Sequence, residues 1–247
     1  AGISSAIKNF APEKIAVIAS GRMTNEELFL TRALAEKIGT SQLSLVPRFG
    51  EADQLLIAAD RNPNTTGAKL VWENSDPYSK LDAIRSAVQS GEIKALIVLG
   101  EDLVSDAGFS TNDLAKLDLL VQAHTLANPT ASLAHFVLPT AAFAEKRGSM
   151  VNLSGRLQRL NRAVEPVGQT RDDWEAIRDL ICAITGDKHE IHHIEDVFKA
   201  IAENIASFQN LTLSKIGQQG TPITETGHKI ALLENERARK AAGLING

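Results

Sequence analysis

The sequence predicts an α/β protein with a Rossmann-like, three-layer arrangement: a parallel sheet of about five or six strands, an irregular β ribbon and C-terminal helices. Two observations lead to this fold class. Over residues 1–148, short apolar runs alternate with amphipathic helical segments, as expected for parallel strands that helices cover on both faces. Residues 149–164 then alternate apolar and polar side chains, and helical periodicity follows. The predicted division is an α/β domain over 1–148, the ribbon and its helices over 149–208, and an extended or weakly helical tail over 209–247.

The first strand and helix have the clearest local signals. Residues 14–20 form a continuous apolar run, which is typical of a buried parallel strand. Thr24 stands three residues before Glu27, the spacing of a capping box, and opens a helix over 25–38 that ends at a glycine. The next apolar run, 43–46, predicts the second strand of a βαβ unit.

Residues 47–77 are ambiguous. Residues 53–59 are compatible with a short helix or a strand, 61–67 with a turn, and 68–72 with another strand. After this segment the periodicity predicts further elements in order: a helix over 78–90, a strand over 95–99, a helix over about 111–117, a strand over 117–122, a helix start near 128–130, a strand over 136–138, and helices over 172–185 and about 194–207.

Composition excludes several classes of protein. The chain has 247 residues, 43% of them hydrophobic, with a net charge of −4, so it can bury a sizeable core. No apolar run approaches the roughly 20 residues that cross a bilayer, and a basic-then-apolar secretory signal is absent. The acidic balance, with one Tyr and two Trp, argues against a nucleic-acid surface. The single cysteine, Cys182, cannot form an intramolecular disulfide or a four-cysteine cluster, and it fits a reducing compartment.

Polar loops follow two of the predicted strands. Residues 20–22 (Ser-Gly-Arg) and 100–102 (Gly-Glu-Asp) come directly after buried strands, and doubly wound sheets bind ligands at such carboxyl ends. Neither loop contains the glycine-rich phosphate cradle of dinucleotide or P-loop proteins. Two interpretations remain open: loops that contact a nucleotide-like ligand, or ordinary βα turns.

The other reactive side chains predict no catalytic or metal site. His124 and His135 lie at strand ends and are either ligand contacts or structural residues, and Cys182 lies on the apolar face of its helix as an inert core thiol. Three further histidines follow in a polar link typical of solvated surface: His189, His192 and His193. The ribbon carries Arg156, Gln158, Arg159 and Arg162, which either bind an anion or pair with Glu145, Glu165 and Asp172.

An ordered series of motifs carries a resemblance to a known family. In chain order they are Thr24–Glu27, Arg61–Thr65, Leu99–Asp102, Ala134–Pro139, Phe143–Gly148, Val151-Asn152, Arg156–Arg159, Ala163–Pro166 and Asp173-Trp174. Over about residues 14–186 this series resembles the molybdopterin oxidoreductase family. Within it, the likeness is greatest to the large peripheral-arm subunit of NADH-quinone oxidoreductase, which is bacterial respiratory complex I. Formate dehydrogenase large subunits share the same landmarks.

The resemblance implies a set of cofactor contacts and no catalytic residue or metal ligand. Family members that hold a molybdopterin guanine dinucleotide contact it at positions that correspond to Gly100, Glu101, Thr125, Asn152, Arg156 and Gln158. This sequence departs from the family in two places that bear on the cofactor: the usual Gln-Asp after the fifth strand is Gln122-Ala123, and the long cradle segment is reduced to about residues 40–94.

Two functions follow from the resemblance. The leading interpretation is a non-catalytic scaffold domain of the complex I peripheral-arm subunit, with vestigial contact residues and no cofactor in this chain. The alternative is a fragment of a formate-dehydrogenase-like enzyme that binds the guanine dinucleotide. In either case we expect iron–sulfur clusters only in a missing N-terminal part or in partner subunits. We expect as partners the other subunits or domains of a respiratory complex, no nucleic acid, and no direct membrane insertion. The expected location is cytoplasmic, peripheral to the inner membrane through partner subunits.

Overall fold

The central sheet has five parallel strands in the order β2-β1-β3-β4-β5, which confirms the predicted fold class. The computed structural model of the protein describes residues 2–53, 57–188, 190–227 and 238–243. The strands are β1 (Ile15–Ser20), β2 (Leu43–Val46), β3 (Ala95–Leu99), β4 (Leu119–His124) and β5 (Phe136–Pro139). Every residue of β1 and β3 is buried, as their uninterrupted apolar sequences require.

Helices cover both faces of this sheet and complete the three layers. The helices are α1 (Gly2–Ile7), α2 (Asn25–Ile38), α3 (Thr65–Val71), α4 (Leu81–Ser90), α5 (Leu103–Asp106), α6 (Thr111–Leu114), α7 (Asp173–Thr185) and α8 (Ile194–Asn204). Alternate residues of β1 point to opposite faces. Val17 lies in a core with residues of α1, α2, α7 and α8, whereas Ile18 lies in a second core with residues of α4, α5 and α6.

A separate antiparallel sheet lies on the same side as the C-terminal helices. Its strands are β6 (Gly148–Val151), β7 (Arg156–Leu160) and β8 (Thr221–Pro222), in the order β6-β7-β8. We call the β6–β7 hairpin the ribbon. It lies where the alternating pattern over 149–164 predicts it, and β6 contacts α2 and α3. The third strand comes from the segment that the sequence predicts as a tail.

The predicted strand over 68–72 is wrong. These residues belong to α3 and its C-cap, and the helix begins inside the predicted turn over 61–67. Thr65, Ala68 and Val71 are buried at helical spacing. The Trp72 indole then donates a hydrogen bond to the backbone oxygen of Leu28 at 2.9 Å, which ties the end of α3 to α2.

Other differences concern element boundaries. The capping box of α2 forms as expected, with Thr24 and Glu27 each accepting from the other's backbone N–H, and the left-handed Gly39 ends the helix. The helix predicted from 78 begins at Leu81, the one over 111–117 is a single turn, and β4 begins two residues later than expected. The helix start near 128–130 leads only to a 3₁₀ turn over Ala131–Leu133. Residues 54–56, in the ambiguous segment over 53–59, lie outside the described residues, as do 228–237 of the predicted tail.

Across the described ranges, none of the helices combines the length and the apolar character that a membrane span requires.

Candidate ligand-binding site

The strand order places a topological switch point between β1 and β3, where chain connections leave the sheet in opposite directions. The two polar loops predicted from the sequence meet here. The Arg22 guanidinium donates to the Gly100 backbone oxygen at 2.9 Å. Gly100 has a φ of 72°, and a Cβ at this position would lie 3.2 Å from Ser20 Cβ. A glycine is therefore needed for the close approach of the loops.

Glu101 is fully buried behind this contact, and its carboxylate is paired with arginine. Arg48, which follows β2, donates to both carboxylate oxygens, with Arg48 Nη1 at 2.7 Å from Glu101 Oε1, and it also reaches Asp106 at 2.8 Å. These hydrogen bonds hold the pKa of Arg48 above its ordinary value. Arg22 lies 3.6 Å from the same carboxylate. Glu101 therefore anchors the β2 and β3 loops and is a poor candidate for a proton-transfer group.

Gln122 lies under the same loop. Its amide donates to the Glu101 backbone oxygen at 2.7 Å and to Asn128 Oδ1 at 3.1 Å. Its Oε1 atom is buried and has no hydrogen-bond partner among the described residues. The next residue, Ala123, is also buried. Its backbone oxygen accepts a hydrogen bond from the Gly100 backbone N–H at 2.9 Å, so its contact with the Gly100 loop is made by backbone atoms.

The remaining predicted contact residues lie in two other places. Thr125 is exposed just beyond β4, with Oγ1 at 3.5 Å from the Ala141 backbone oxygen. On the ribbon, Asn152 Oδ1 accepts from the backbone of Ser154 and Arg156, each at 3.0 Å, and so shapes the hairpin turn. The structure thus separates the predicted set: Gly100 and Glu101 lie at the switch point and Asn152, Arg156 and Gln158 on the ribbon.

Arg156 faces the segment before β8. Its guanidinium donates to the backbone oxygens of Gln219 and Gly220, both at 3.1 Å. Arg162 pairs with Asp172 at 3.5 Å and Glu165 at 3.8 Å. Arg162 therefore makes the ion pairs of the structural alternative that the sequence left open, whereas Arg156 is held by backbone oxygens and not by one of the predicted acidic partners. The Glu145 carboxylate accepts a hydrogen bond from the Ala142 backbone N–H at 2.7 Å.

A cavity of about 650 Å³ lies between the ribbon and the segment that leads into α3. Asn152, Ser154, Gln158 and Arg159 contribute the polar groups of the ribbon wall, and Asp60, Arg61 and Asn62 those of the opposite wall. Apolar side chains complete the lining, namely Ile57, Ala58, Pro63, Met150, Leu153 and Leu160. Arg61 and Arg159 outnumber the single carboxylate of Asp60, so the lining carries a net positive charge. Such a surface suits a planar polar ligand with a negative charge, because amides can hydrogen-bond to its edge and guanidinium groups can meet the charge.

Asn62 is the most constrained polar group of this cavity. It is 2% exposed, and its amide donates to the Val46 backbone oxygen at 3.2 Å and to the Tyr78 hydroxyl at 3.1 Å. A Cβ on Gly21 would lie 2.6 Å from Asn62 Cγ, so this glycine makes room for the amide. Asn62 Oδ1 is buried without a hydrogen-bond partner in the described part of the chain. A buried acceptor of this kind usually has an explanation, such as a ligand or water.

A cluster of buried charges lies at the N-terminus of α2, and no sequence pattern predicted it. Lys146 Nζ lies 2.8 Å from both Glu27 Oε1 and Asp173 Oδ2, with all three side chains at most 8% exposed. Although burial opposes it, the charges of Glu27 and Asp173 raise the pKa of Lys146. Burial raises the pKa of Glu26, beside this cluster, to about 7. The run Glu145-Lys146-Arg147 has the composition of a solvated turn, whereas only Arg147 is exposed.

His124 and His135 make structural contacts with the backbone. His135 Nδ1 accepts from the Leu120 backbone N–H at 2.9 Å, and His124 Nδ1 contacts the backbone of Leu126. His189 lies outside the described residues. Cys182 is only partly buried, so the expected core thiol is wrong. No group of three or more His, Cys, Asp or Glu residues within the described ranges could hold a metal ion.

Comparison with known proteins finds similarity to one family over part of this chain. The molybdopterin oxidoreductase family profile matches residues 64–183. The alpha subunit of an NADPH-Fe(3+) oxidoreductase from Geobacter sulfurreducens is 32% identical over 146 residues, which cover 57% of this chain and 16% of that protein. The alpha subunit of an F420-dependent formate dehydrogenase from Methanocaldococcus jannaschii is 33% identical over 155 residues, 60% of this chain and 23% of that protein. The chain thus spans less than a quarter of the length of these relatives.

A solved structure, acetylene hydratase from Pelobacter acetylenicus, superposes on 61% of this chain and 21% of its own, with a TM-score of 0.47 and 20% identity. The relatives named above are formate dehydrogenase and NADPH-Fe(3+) oxidoreductase subunits, and neither is a subunit of an NADH-quinone oxidoreductase. The family match and the sequence relatives together support this chain as a molybdopterin oxidoreductase-like domain.

Proposed function

We propose that this chain is part of a formate-dehydrogenase-like molybdopterin oxidoreductase and holds one portion of a molybdopterin guanine dinucleotide. The observation that carries the proposal is the cavity between the ribbon and residues 57–63, whose two walls both present amide and guanidinium groups. The formate dehydrogenase relatives favour this function over the complex I scaffold that the sequence resemblance placed first. The proposal concerns a part of the enzyme, because the chain covers 23% of the formate dehydrogenase subunit it matches.

The residues of the cavity fit a portion of this cofactor. Pterin and guanine rings present mixed donors and acceptors at their edges, and the dinucleotide carries phosphates. Gln158 can donate or accept a hydrogen bond, and the Arg159 guanidinium can meet a phosphate. When bound, the cofactor supplies the oxidation–reduction chemistry, and the residues of this chain bind and orient it.

The other predicted contact residues support the site from outside the cavity. Gly100 and Glu101 fix the loops at the switch point, and Asn152 and Arg156 fix the hairpin and its attachment to the segment before β8. Thr125 remains an exposed side chain at the same carboxyl edge of the sheet. We propose that these residues contact the cofactor only in the complete enzyme, where its remaining parts cover the carboxyl edge of the parallel sheet.

A second candidate, a scaffold domain of the complex I peripheral-arm subunit without cofactor, is favoured by a specific observation. At the switch point Glu101 is neutralised by Arg48, and an alanine stands at 123 where the family usually has an acidic residue. Under this candidate the chain is a structural part of a respiratory complex. Both candidates place it with partner subunits, in agreement with the alpha-subunit names of the relatives. The location that we propose for it is the cytoplasmic side of the inner membrane.

Calorimetric titration with GDP tests the choice, since GDP carries the guanine and phosphate groups of the dinucleotide. We expect saturable binding to the wild type. Arg159→Ala should weaken it about tenfold, the usual loss for a hydrogen bond to a charged group. Arg85→Ala, on α4 of the opposite face, is the matched control and should bind like the wild type. A wild type that gives no binding heat would overturn the cofactor proposal and favour the scaffold candidate.

A further inference from the structure

The ribbon meets the rest of the protein along β6, which is the edge strand of the antiparallel sheet. An edge strand presents backbone N–H groups that its own sheet does not use. In β6 two of these groups, at Ser149 and Val151, donate to side chains from two separate elements. Two buried polar side chains thus take the place of a neighbouring strand.

Glu26 provides the first of these acceptors. Its Oε2 accepts from Ser149 N at 2.9 Å and its Oε1 from the Ser149 hydroxyl at 2.8 Å. Asn25 donates to the same hydroxyl oxygen at 3.0 Å. All three residues are buried, so water cannot replace a lost contact without rearrangement. Gly148 lets the strand approach, because a Cβ there would lie 2.6 Å from Thr24 Cγ2.

Asn64 provides the second acceptor and links the ribbon to the opposite wall of the cavity. Its Oδ1 accepts from Val151 N at 2.8 Å, and its amide donates to the Met23 backbone oxygen at 2.8 Å. Its own backbone N–H donates to the Gly21 oxygen at 3.0 Å. Asn64 follows directly on Asn62 and Pro63, which line the cavity. A single side chain therefore joins the two cavity walls and the loop after β1.

We propose that Glu26 and Asn64 are positioning residues for the cavity: they fix the ribbon at Ser149 and Val151 and so set the distance between its walls. This inference rests on the proposed function for its ligand. Met150 and Asn152 line the cavity and alternate along the chain with the two residues held by Glu26 and Asn64. If Ser149 or Val151 shifts, Met150 and Asn152 therefore shift with it. The hydrogen bonds of Glu26 and Asn64 to β6 are buried, and buried polar networks fix the relative positions of the groups they join.

The surroundings of Glu26 make it sensitive to substitution. Burial is the main cause that raises its pKa, and the charge of Glu27, the next residue on α2, acts in the same direction. Glu27 in turn contacts Lys146, which also contacts Asp173 of α7. Glu26→Ala leaves the Ser149 N–H buried without an acceptor. Glu26→Gln can restore both contacts, because the amide oxygen can accept from Ser149 N–H and the amide NH₂ can donate to its hydroxyl.

The test compares the wild-type chain with Glu26→Ala and Glu26→Gln in two measurements: amide hydrogen exchange of Ser149 and Val151 by NMR, and the Kd for GDP. Thr31→Val is the matched control, since Thr31 lies on the same helix and loses a buried 2.7 Å hydrogen bond whose partner, the Glu27 backbone oxygen, belongs to α2 itself. We expect Glu26→Ala to speed the exchange and weaken GDP binding about tenfold, as the loss of a buried acceptor implies. Glu26→Gln should restore both values, and Thr31→Val should leave both unchanged.

Equal exchange rates in Glu26→Ala and the wild type would overturn the inference. A change in the Kd for GDP that is as large in Thr31→Val as in Glu26→Ala would also overturn it. If Glu26→Ala does not fold, Ser149→Ala removes only the hydroxyl contact and should move both measurements in the same direction, and no change in either would overturn the inference. If the wild type binds no GDP, the proposed function fails, and the exchange rates alone decide whether Glu26 fixes the ribbon.

Discussion

Glu26 and Glu27 place two buried carboxyl groups side by side near one lysine, and this makes stability depend on pH. Burial raises the pKa of Glu26 from 4.5 to about 7. Between those two values the folded state holds a proton that the unfolded state has lost. The contribution of Glu26 to the free energy of unfolding is therefore fully present below pH 4.5, and it decreases as the pH rises towards 7. Burial shifts the pKa of Glu27 in the same direction, against the pull of Lys146.

Glu26→Gln should remove the contribution of Glu26 to this decrease. Relative to the wild type, the variant should gain on the order of 2–3 kcal/mol between pH 5 and pH 8, the free energy of a shift of about two pKa units. Urea unfolding of both proteins at pH 5, 6.5 and 8 measures the difference. Two curves of unfolding free energy that stay parallel over this range would show that Glu26 does not titrate there.

At the switch point, single residues were predictable where they follow a strand. Gly100 and Glu101 come directly after an apolar run, so their place at a sheet edge can be inferred from the sequence. Arg48, Asn62 and Asn64 lie in a segment without periodicity, and their partners are distant in the chain. Lys146 is misleading for a different reason: a charged triplet normally predicts solvent, and only the pairing with Glu27 and Asp173 makes burial tolerable.

Elements were predictable where their signals are local. The capping residues of α2 and the uninterrupted apolar run of β3 lie within the elements they define. In contrast, α3 contains a short apolar run that also fits a strand. The helical spacing of its buried residues 65, 68 and 71 was the signal that could have identified it. The two-residue β8 has no local signal, because it exists only through pairing with Arg156 and Leu157.

The attachment of β8 to the ribbon depends on Gly155. Its φ is 76°, and a Cβ would lie 2.0 Å from the Thr224 backbone oxygen, which is closer than any real contact. Gly155→Ala should therefore detach residues 220–226 from the ribbon and raise their amide exchange. Gly168→Ala is the matched control, since Gly168 has a similar φ of 64° and nothing within 4 Å. If the exchange rate over 220–226 in Gly155→Ala were no higher than in Gly168→Ala, the prediction would be contradicted.

The whole molecule is held together across the boundaries that the sequence predicts. One hydrophobic core contains Ile15 and Trp72 of the predicted α/β domain, Trp174 and Phe198 of the predicted ribbon and helix segment, and Ile216 of the predicted tail. Sequence patterns detect changes of periodicity, such as the one near residue 148, but they do not detect which faces pack together. Helix α7 packs along α2, so the segment after the ribbon closes one face of the sheet.

This shared core predicts a single cooperative unfolding transition, which the two tryptophans can test. Trp72 is 8% exposed and lies in the predicted 1–148 domain, whereas Trp174 is 4% exposed and lies in 149–208. Trp174→Phe leaves only the fluorescence of Trp72, and Trp72→Phe leaves only that of Trp174. In each variant we expect the urea midpoint from fluorescence to equal the midpoint from far-UV circular dichroism, as in two-state unfolding. If 1–148 and 149–208 instead unfolded as independent domains, each variant would show a fluorescence transition separated from part of the circular dichroism change.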